Sequence, residues 1–505
     1  MTAFAPIPLG RPIPNSLHAV SCSLPTMRAV RGYEEKDPAI TSQLSSGYPR
    51  FVVHPLLHQL ARHCQAELGL AGRTVWLTSS AGMAEALAAE LRHFAPNAAP
   101  TLTVFARDGI HGLAHRHQPE LNTHAKAFLQ NIGGFLSSRA AEDRLVQLGL
   151  RPAADREELF AGDALGEVRR HLHPLFAGTS PGDLLPATCG MNALYAAFCA
   201  LNARQAARGR TIWVQLGWLY LDTIALLKRF TATPDDYVYL RDVFDWAAIE
   251  ELFSRKGDRI AGLIIEAPTN PLIQTPDLAA IATLARTYGA AIIADPSVSS
   301  AFAVDVLPHA DLVALSLTKY AGSEGDLTAG LVVVNPATPN AAAVRRDVVA
   351  HLEPVYPRDL ARLAHQIGQT RDVLARVQAS VPRIAAWLET QPAVKEVFWA
   401  RHPVSRANYE MIARTPAAVG GMISFSLRLP LERFYDRLRL PKGPSFGMKT
   451  TLICPFMYLA HYDLVSNPAG RAQLEADGLD PELLRLAIGC EPADDIIAAL
   501  AEALA

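Results

Sequence analysis

Short apolar runs recur through the middle of the chain, with stretches of helical periodicity between them. The runs are TIWVQLG (211–217), YVYL (237–240), GLIIEAP (262–268), AAIIADP (290–296), LVALSL (312–317) and GLVVVN (330–335). Runs rich in Val and Ile, each followed by a helix, predict a mainly parallel sheet covered on both faces. Upstream, helices are predicted over 56–70 and 81–93, with TVWLT (74–78) as a strand between them. The stretch 94–125 shows one strand-like run, LTVFA (102–106), and is otherwise irregular. Residues 1 to about 50 are dense in Pro, Gly and Ser, which predicts an extended arm with little regular structure. The region 340–395 reads as helical. Strands VKEVFWA (394–400) and GMISFSL (421–427) follow, and DIIAALAEALA (495–505) closes as a helix. The division this predicts is an N-terminal arm and extension (1–130), a large α/β domain (131–380) and a smaller α+β domain (381–505).

Composition narrows the partners. Of 505 residues, half are hydrophobic and 19% are charged, as in a globular enzyme-sized protein of more than one core. The formal net charge is −2 and no basic stripe stands out, which argues against nucleic acid. The six cysteines form no CxxC pair, so a reducing, cytoplasmic setting is expected. No secretory signal and no bilayer-spanning run is visible.

Candidate chemistry sits at predicted strand ends, where open α/β sheets bind ligands. Asp295 ends AAIIAD, placed as a carboxylate beside a protonated pyridine nitrogen would be. Lys319 follows LVALSL, where loss of water lowers an amine's pKa and readies it for imine chemistry. Ser316 and Thr318 flank it with hydroxyls suited to phosphate oxygens. In TCGMNALYAAFCALN (188–202), Gly190 and Met191 open a helix whose free N–H groups and dipole suit a phosphate. Each signal alone has a plain alternative: a turn aspartate, a surface lysine, an ordinary loop-to-helix turn. Together they point to pyridoxal 5′-phosphate (PLP), an electron sink for a Cα carbanion.

In order, CGM (189–191), YLDT (220–223), PTNP (268–271), IIAD (292–295) and SLTK (316–319) resemble the motifs of the Cys/Met-metabolism PLP enzymes. That resemblance implies an aspartate-aminotransferase-like (fold type I) large domain, PLP as cofactor and small amino-acid substrates. Homodimers or homotetramers are implied as well. It implies that Lys319 carries the cofactor as a Schiff base and later moves protons. Tyr220 would stack on the ring, Asn270 would lie near its 3′-oxygen and Asp295 would pair with its nitrogen. Gly190, Met191, Ser316 and Thr318 would hold the phosphate.

The ending LLRLAIGCEPADDIIAALAEAL (483–504) resembles the family's Arg-x-Ser-x-Gly-x-Glu. Arg485 would therefore clamp the substrate carboxylate, with Ala487 in place of the serine. GPSFGMKTTLICPF (443–456) resembles the family's Ser-Leu-Gly-Gly-x-Glu-Ser-Leu loop. Ser445 falls at the substrate and Thr450 replaces the glutamate. HAVSCSLPT (18–26), RGYEE (31–35), SGYPRFVVHP (46–55) and LAHYDL (459–464) are similar to the longer, fungal-type cystathionine gamma-synthases. That branch implies gamma-replacement, in which cysteine sulfur displaces the acyloxy group of an O-acyl-homoserine. A carbon–sulfur lyase or a sulfhydrylase of the same fold is the alternative.

The family also has a Tyr-x-Arg segment that a neighbouring subunit donates to the phosphate. Tyr48-Pro49-Arg50 and the Ser138-Arg139 of GFLSSRAAE (134–142) compete for it. Spacing to Gly190 favours Arg139, though Ser137 then replaces the tyrosine. SSAGMAEAL (79–87) mimics the phosphate turn but lacks the motifs that should follow, and reads as a strand-to-helix turn. His111, His115 and His117 have metal-like spacing without a carboxylate or cysteine partner, and read as solvated surface.

Overall fold

The computed structural model describes residues 4–49 and 51–505. A seven-stranded sheet runs in the order Leu184–Ala187, Gly330–Val334, Leu312–Ser316, Ala291–Asp295, Ile260–Glu266, Ile212–Leu216 and Tyr237–Leu240. Only Gly330–Val334 is antiparallel to its neighbours; the other pairings are parallel. Ile212–Leu216, Ile260–Glu266 and Gly330–Val334 are buried along their whole length. This is why they read as continuous apolar runs rather than alternating ones. Tyr237–Leu240, at the edge, is half-buried throughout.

Local chemistry sets the helix ends. Asp277 caps Leu278–Tyr288 by accepting from the Ala280 N–H at 2.9 Å. Gly289 then stops it in the left-handed region at φ 72°. Helix Gly190–Ala206 lies against the sheet on strands Leu312–Ser316 and Gly330–Val334. A second, four-stranded antiparallel sheet orders Val394–Trp399, Met422–Leu427, Leu484–Ala487 and Leu452–Pro455. No helix among the described residues is long and apolar enough to cross a membrane.

Three expectations are corrected. The arm is more ordered than its composition suggests. Pro12–Ile13 pairs with Ser21–Cys22, and helix Met27–Glu34 starts at Thr26, whose side chain accepts from the Ala29 N–H at 3.1 Å. Packing overrides Pro/Ser composition here: Ser21, Cys22, Met27 and Val30 are buried. The stretch 94–125 holds a further strand, Ile110–Arg116, and the start of helix Pro119–Ile132. That strand is central to a three-stranded antiparallel sheet, between Arg73–Thr78 and Thr103–Arg107. Its His and Gly residues hide its strand character, which cross-strand pairing supplies. Finally, His115 is not solvated. It is fully buried, accepts from the Trp76 indole N–H at 3.0 Å and pairs with the Arg116 carbonyl at 2.8 Å.

Candidate active site

The strands ending at Ala187, Glu266, Asp295 and Ser316 run in the same direction, so four carboxyl ends converge on one edge of the sheet. The loop 443–447 and Arg485 of the smaller sheet close over that edge. Between them lies a cavity of about 210 Å³ lined by Gly190, Tyr220, Asn270, Asp295, Lys319 and Arg485, among others.

Lys319 faces this cavity. Its Nζ donates to Ser445 Oγ at 2.8 Å and lies 4.6 Å from the Tyr48 ring centroid and 4.8 Å from that of Phe446. Loss of water, with the positive charge of Arg485 added, lowers the amine from the ordinary lysine range to about 7. The backbone around it is clasped by the same loop, since the Tyr320 N–H donates to the Gly447 carbonyl at 2.8 Å.

Asp295 lies directly across the ladder from Glu266. Burial raises both carboxyls, and the proximity of Asp295 adds to the rise at Glu266. Asp295 accepts from the Ser297 N–H at 2.8 Å, which favours its charge. Glu266 accepts from the Tyr220 N–H, but burial and the neighbouring Asp295 outweigh that bond and raise it well above its ordinary value, so it is the better seat for a proton. Glu266 was not singled out in the sequence. Its signal is its position, directly before Ala267-Pro268-Thr269-Asn270 at the end of a wholly buried strand.

On the opposite wall, Arg485 is buried. Its NH1 donates to Asn270 Oδ1 and its NH2 to the Ser445 carbonyl, both at 3.2 Å. Phe446 and Phe456 lie 5.2 and 4.9 Å from the guanidinium carbon. Arg485 Nε is buried without a hydrogen-bond partner among the described residues. An incoming carboxylate would meet that need.

The phosphate candidates divide. Helix Gly190–Ala206 begins at Cys189, which makes no side-chain cap hydrogen bond, though its thiol stands beside the Met191 and Asn192 N–H groups; this helix start lines the cavity, where it suits an anion. A Cβ on Gly190 would stand 2.8 Å from that of Ser316, so only glycine lets helix and strand end meet this closely. Ser316 lines the cavity, and its N–H donates to Ser297 Oγ at 2.8 Å. The Thr318 hydroxyl is engaged with the backbone of Ala329, donating at 3.3 Å and accepting at 3.0 Å.

Arg139 is the main correction. It is buried and bound to carboxylates of its own chain: Glu157 at 2.6 Å, Asp359 at 2.9 Å and Asp326 at 3.7 Å. Burial alone would lower its pKa, but these carboxylates hold it above the ordinary value. With its donors spent on them, Arg139 is an internal hub, not a free phosphate clamp. Tyr48, of the competing segment, lies in the site of its own chain. Arg50 lies outside the described residues.

The residues fit PLP. A lysine with a lowered pKa, a carboxylate pair at a strand end, a helix N-terminus and a buried arginine with spare donor capacity meet in one cavity. That constellation on a mainly parallel sheet defines a fold type I PLP-dependent enzyme. The chain belongs to the Cys/Met metabolism PLP-dependent enzyme family, whose signature it matches over residues 182–505.

Among relatives, an L-2-amino-4-chloropent-4-enoate dechlorinase/desaturase of Streptantibioticus cattleyicolor is 38% identical, covering 95% of each chain. Cystathionine gamma-synthase of Neurospora crassa is 26% identical, covering 99% of this chain and 98% of the relative. Cystathionine gamma-synthase of Xanthomonas oryzae shares the fold, with TM-score 0.57 at 23% identity over 70% of this chain and 89% of that one.

Proposed function

We propose that this chain uses PLP to eliminate a γ-leaving group from an L-α-amino acid. One observation carries the reading: the Lys319 amine, near neutrality in pKa, is held by Ser445 between the ring faces of Tyr48 and Phe446. An amine so poised can take a proton from Cα and return one. The two aromatic faces keep water from the same space.

The bound cofactor supplies the electron sink that makes the Cα proton acidic. Lys319 would hold it covalently, Asp295 would face its ring nitrogen, and Gly190, Met191 and Ser316 would receive its phosphate. Tyr220 and Asn270 bound the ring. Arg485 binds the substrate carboxylate, and Asn270 fixes the guanidinium through Oδ1. Lys319 would take the Cβ proton, and the γ-substituent would leave Cγ with its bonding electron pair, as chloride or a carboxylate. The 38% identical relative, named for dechlorination of a 4-chloro amino acid, supports a halide or similarly small leaving group.

A second reading is gamma-replacement, in which cysteine adds where the group left. The fungal-type motifs and the relationship to the Neurospora synthase support it. One assay separates the two. PLP-loaded protein receives L-2-amino-4-chloropent-4-enoate or O-acetyl-L-homoserine, each with and without cysteine. Chloride or acetate release that does not need cysteine supports elimination. Cystathionine formed from O-acetylhomoserine only with cysteine would replace it by the synthase reading.

A further inference from the structure

The Ser445 backbone lies in the positive-φ region, at 106°, which is costly for a residue with a side chain. It serves two partners: its hydroxyl takes the Lys319 amine and its carbonyl takes Arg485. Something must hold it there. At the far side of the loop, Glu491 accepts from the Thr451 N–H at 3.0 Å and from its hydroxyl at 2.6 Å. At the near side the support comes from the N-terminal arm, hundreds of residues away in sequence.

The arm is threaded beneath the loop. The Val20 N–H donates to the Gly325 carbonyl and the Leu24 N–H to the Lys442 carbonyl, both at 2.9 Å. Gly443 presses on the Cys22 carbonyl so closely that a Cβ would stand 2.3 Å from that oxygen. Between these contacts the fully buried Ser21 donates its hydroxyl to the Pro444 carbonyl, the peptide that leads directly into Ser445. Ser46 in turn donates to the Ser21 carbonyl at 2.9 Å, and the Tyr48 N–H donates to Val20 at 3.2 Å. The arm segment that fixes Ser445 is thus the one that carries Tyr48 to the Lys319 amine.

We propose that Ser21 is a positioning residue for the reaction: by anchoring the Pro444 peptide it holds Ser445 in the strained geometry that orients both Lys319 and Arg485. Ser21 touches neither substrate nor cofactor and acts through Ser445. The inference rests on Lys319 as the reactive amine and not on the choice of substrate.

The test needs a readout that ordinary loosening would not move. In cofactor-free protein, the pH midpoint of Lys319 can be read by competitive acetylation, with mass spectrometry of its peptide. The charged group that acts on this amine is Arg485. Ser445 Oγ accepts from the amine and so favours its charged form. Ser445→Ala therefore lowers the midpoint, and Ser21→Ala lowers it in the same direction. In PLP-loaded protein, Ser21→Ala reduces kcat about tenfold, the size of one modest lost interaction. The double variant is no worse than Ser445→Ala alone, because one interaction is lost twice. Ser23→Ala, whose hydroxyl instead meets the Ile7 carbonyl at 2.8 Å, leaves midpoint and kcat unchanged. Ser21→Cys keeps the volume and weakens the hydrogen bond, and reads the same midpoint should the alanine variant not be recovered folded. A wild-type midpoint in both Ser21 variants, or losses that multiply in the double variant, would overturn the proposal.

Discussion

Two carboxyls facing each other across adjacent strands cannot both ionise cheaply in a dry site. Each accepts a backbone N–H, Asp295 from Ser297 and Glu266 from Tyr220, and the rise is the stronger at Glu266, so the proposed function seats the proton there and leaves Asp295 charged to face the ring nitrogen. Under the proposed function, replacing Asp295 by Asn removes the charge that would face the ring nitrogen. Turnover is expected to fall on the order of a hundredfold or more. Replacing Glu266 by Gln swaps one neutral hydrogen-bonding group for another, and turnover should stay within about tenfold of wild type. Steady-state kinetics on the two variants decides. Equal losses would mean that Glu266 is ionised and the assignment of the proton is reversed. Asp295 was legible in the sequence because it ends an apolar strand in a known order of motifs. Glu266 was not, since nothing in IIEAP says that its neighbour across the ladder is Asp295.

Helix starts show how two similar sequences part ways. SSAGM and TCGM both lead from a strand into a helix. At the first, Ser80 caps the helix from within, accepting from the Met83 N–H at 3.1 Å, and its hydroxyl donates to Glu353 at 2.9 Å. At the second, Cys189 has no hydroxyl and makes no side-chain cap hydrogen bond, only its thiol standing beside the first N–H groups, and the helix start lines the cavity. The difference is one hydroxyl, and it separates a filled helix end from one able to take an anion. The close meeting of Gly190 with Ser316 makes the second start fragile. Gly190→Ala should push the helix away from the strand end, weaken PLP affinity at least tenfold, and lower stability by about 1–3 kcal/mol. Cofactor titration followed by fluorescence, with thermal melts of the cofactor-free protein, measures both. Unchanged affinity would remove this turn from the phosphate site.

Across the whole molecule, the Arg139 hub ties together segments distant in sequence. Helix Ser138–Gln147 carries Arg139, and its partners Glu157, Asp326 and Asp359 lie on three other segments. Arg358 joins the same network, binding Glu142 at 2.8 Å and Asp143 at 2.7 Å. Removing Arg139 leaves the buried Asp359 without its cation, while Glu157 keeps Arg358 and Asp326 keeps Arg362; stranding one buried charge is the more damaging way to break a buried ion cluster. Arg139→Met is expected to destabilise the fold by about 3–5 kcal/mol. Denaturant unfolding of the cofactor-free variant reads this directly. A variant as stable as wild type but unable to bind PLP would restore Arg139 to the phosphate.

What the sequence determined by itself is local or ordered along the chain. The buried parallel sheet shows as Val- and Ile-rich runs because both of its faces are covered. The lysine, the aspartate and the glycine turn show because each sits at a strand end in a fixed succession. Only the tertiary structure decided what depends on distant segments meeting. It brought Ser445 and Arg485 of the C-terminal part onto Lys319 and Asn270. It placed Tyr48 of the arm at the same amine and Ser21 of the arm beneath the loop that carries Ser445. It turned Arg139 from a candidate ligand into an internal ion pair and buried His115 in a sheet. Side-chain type announces what a residue can do. Whether that capacity is left open or spent depends on the partners folding supplies, and spacing along the chain does not encode those.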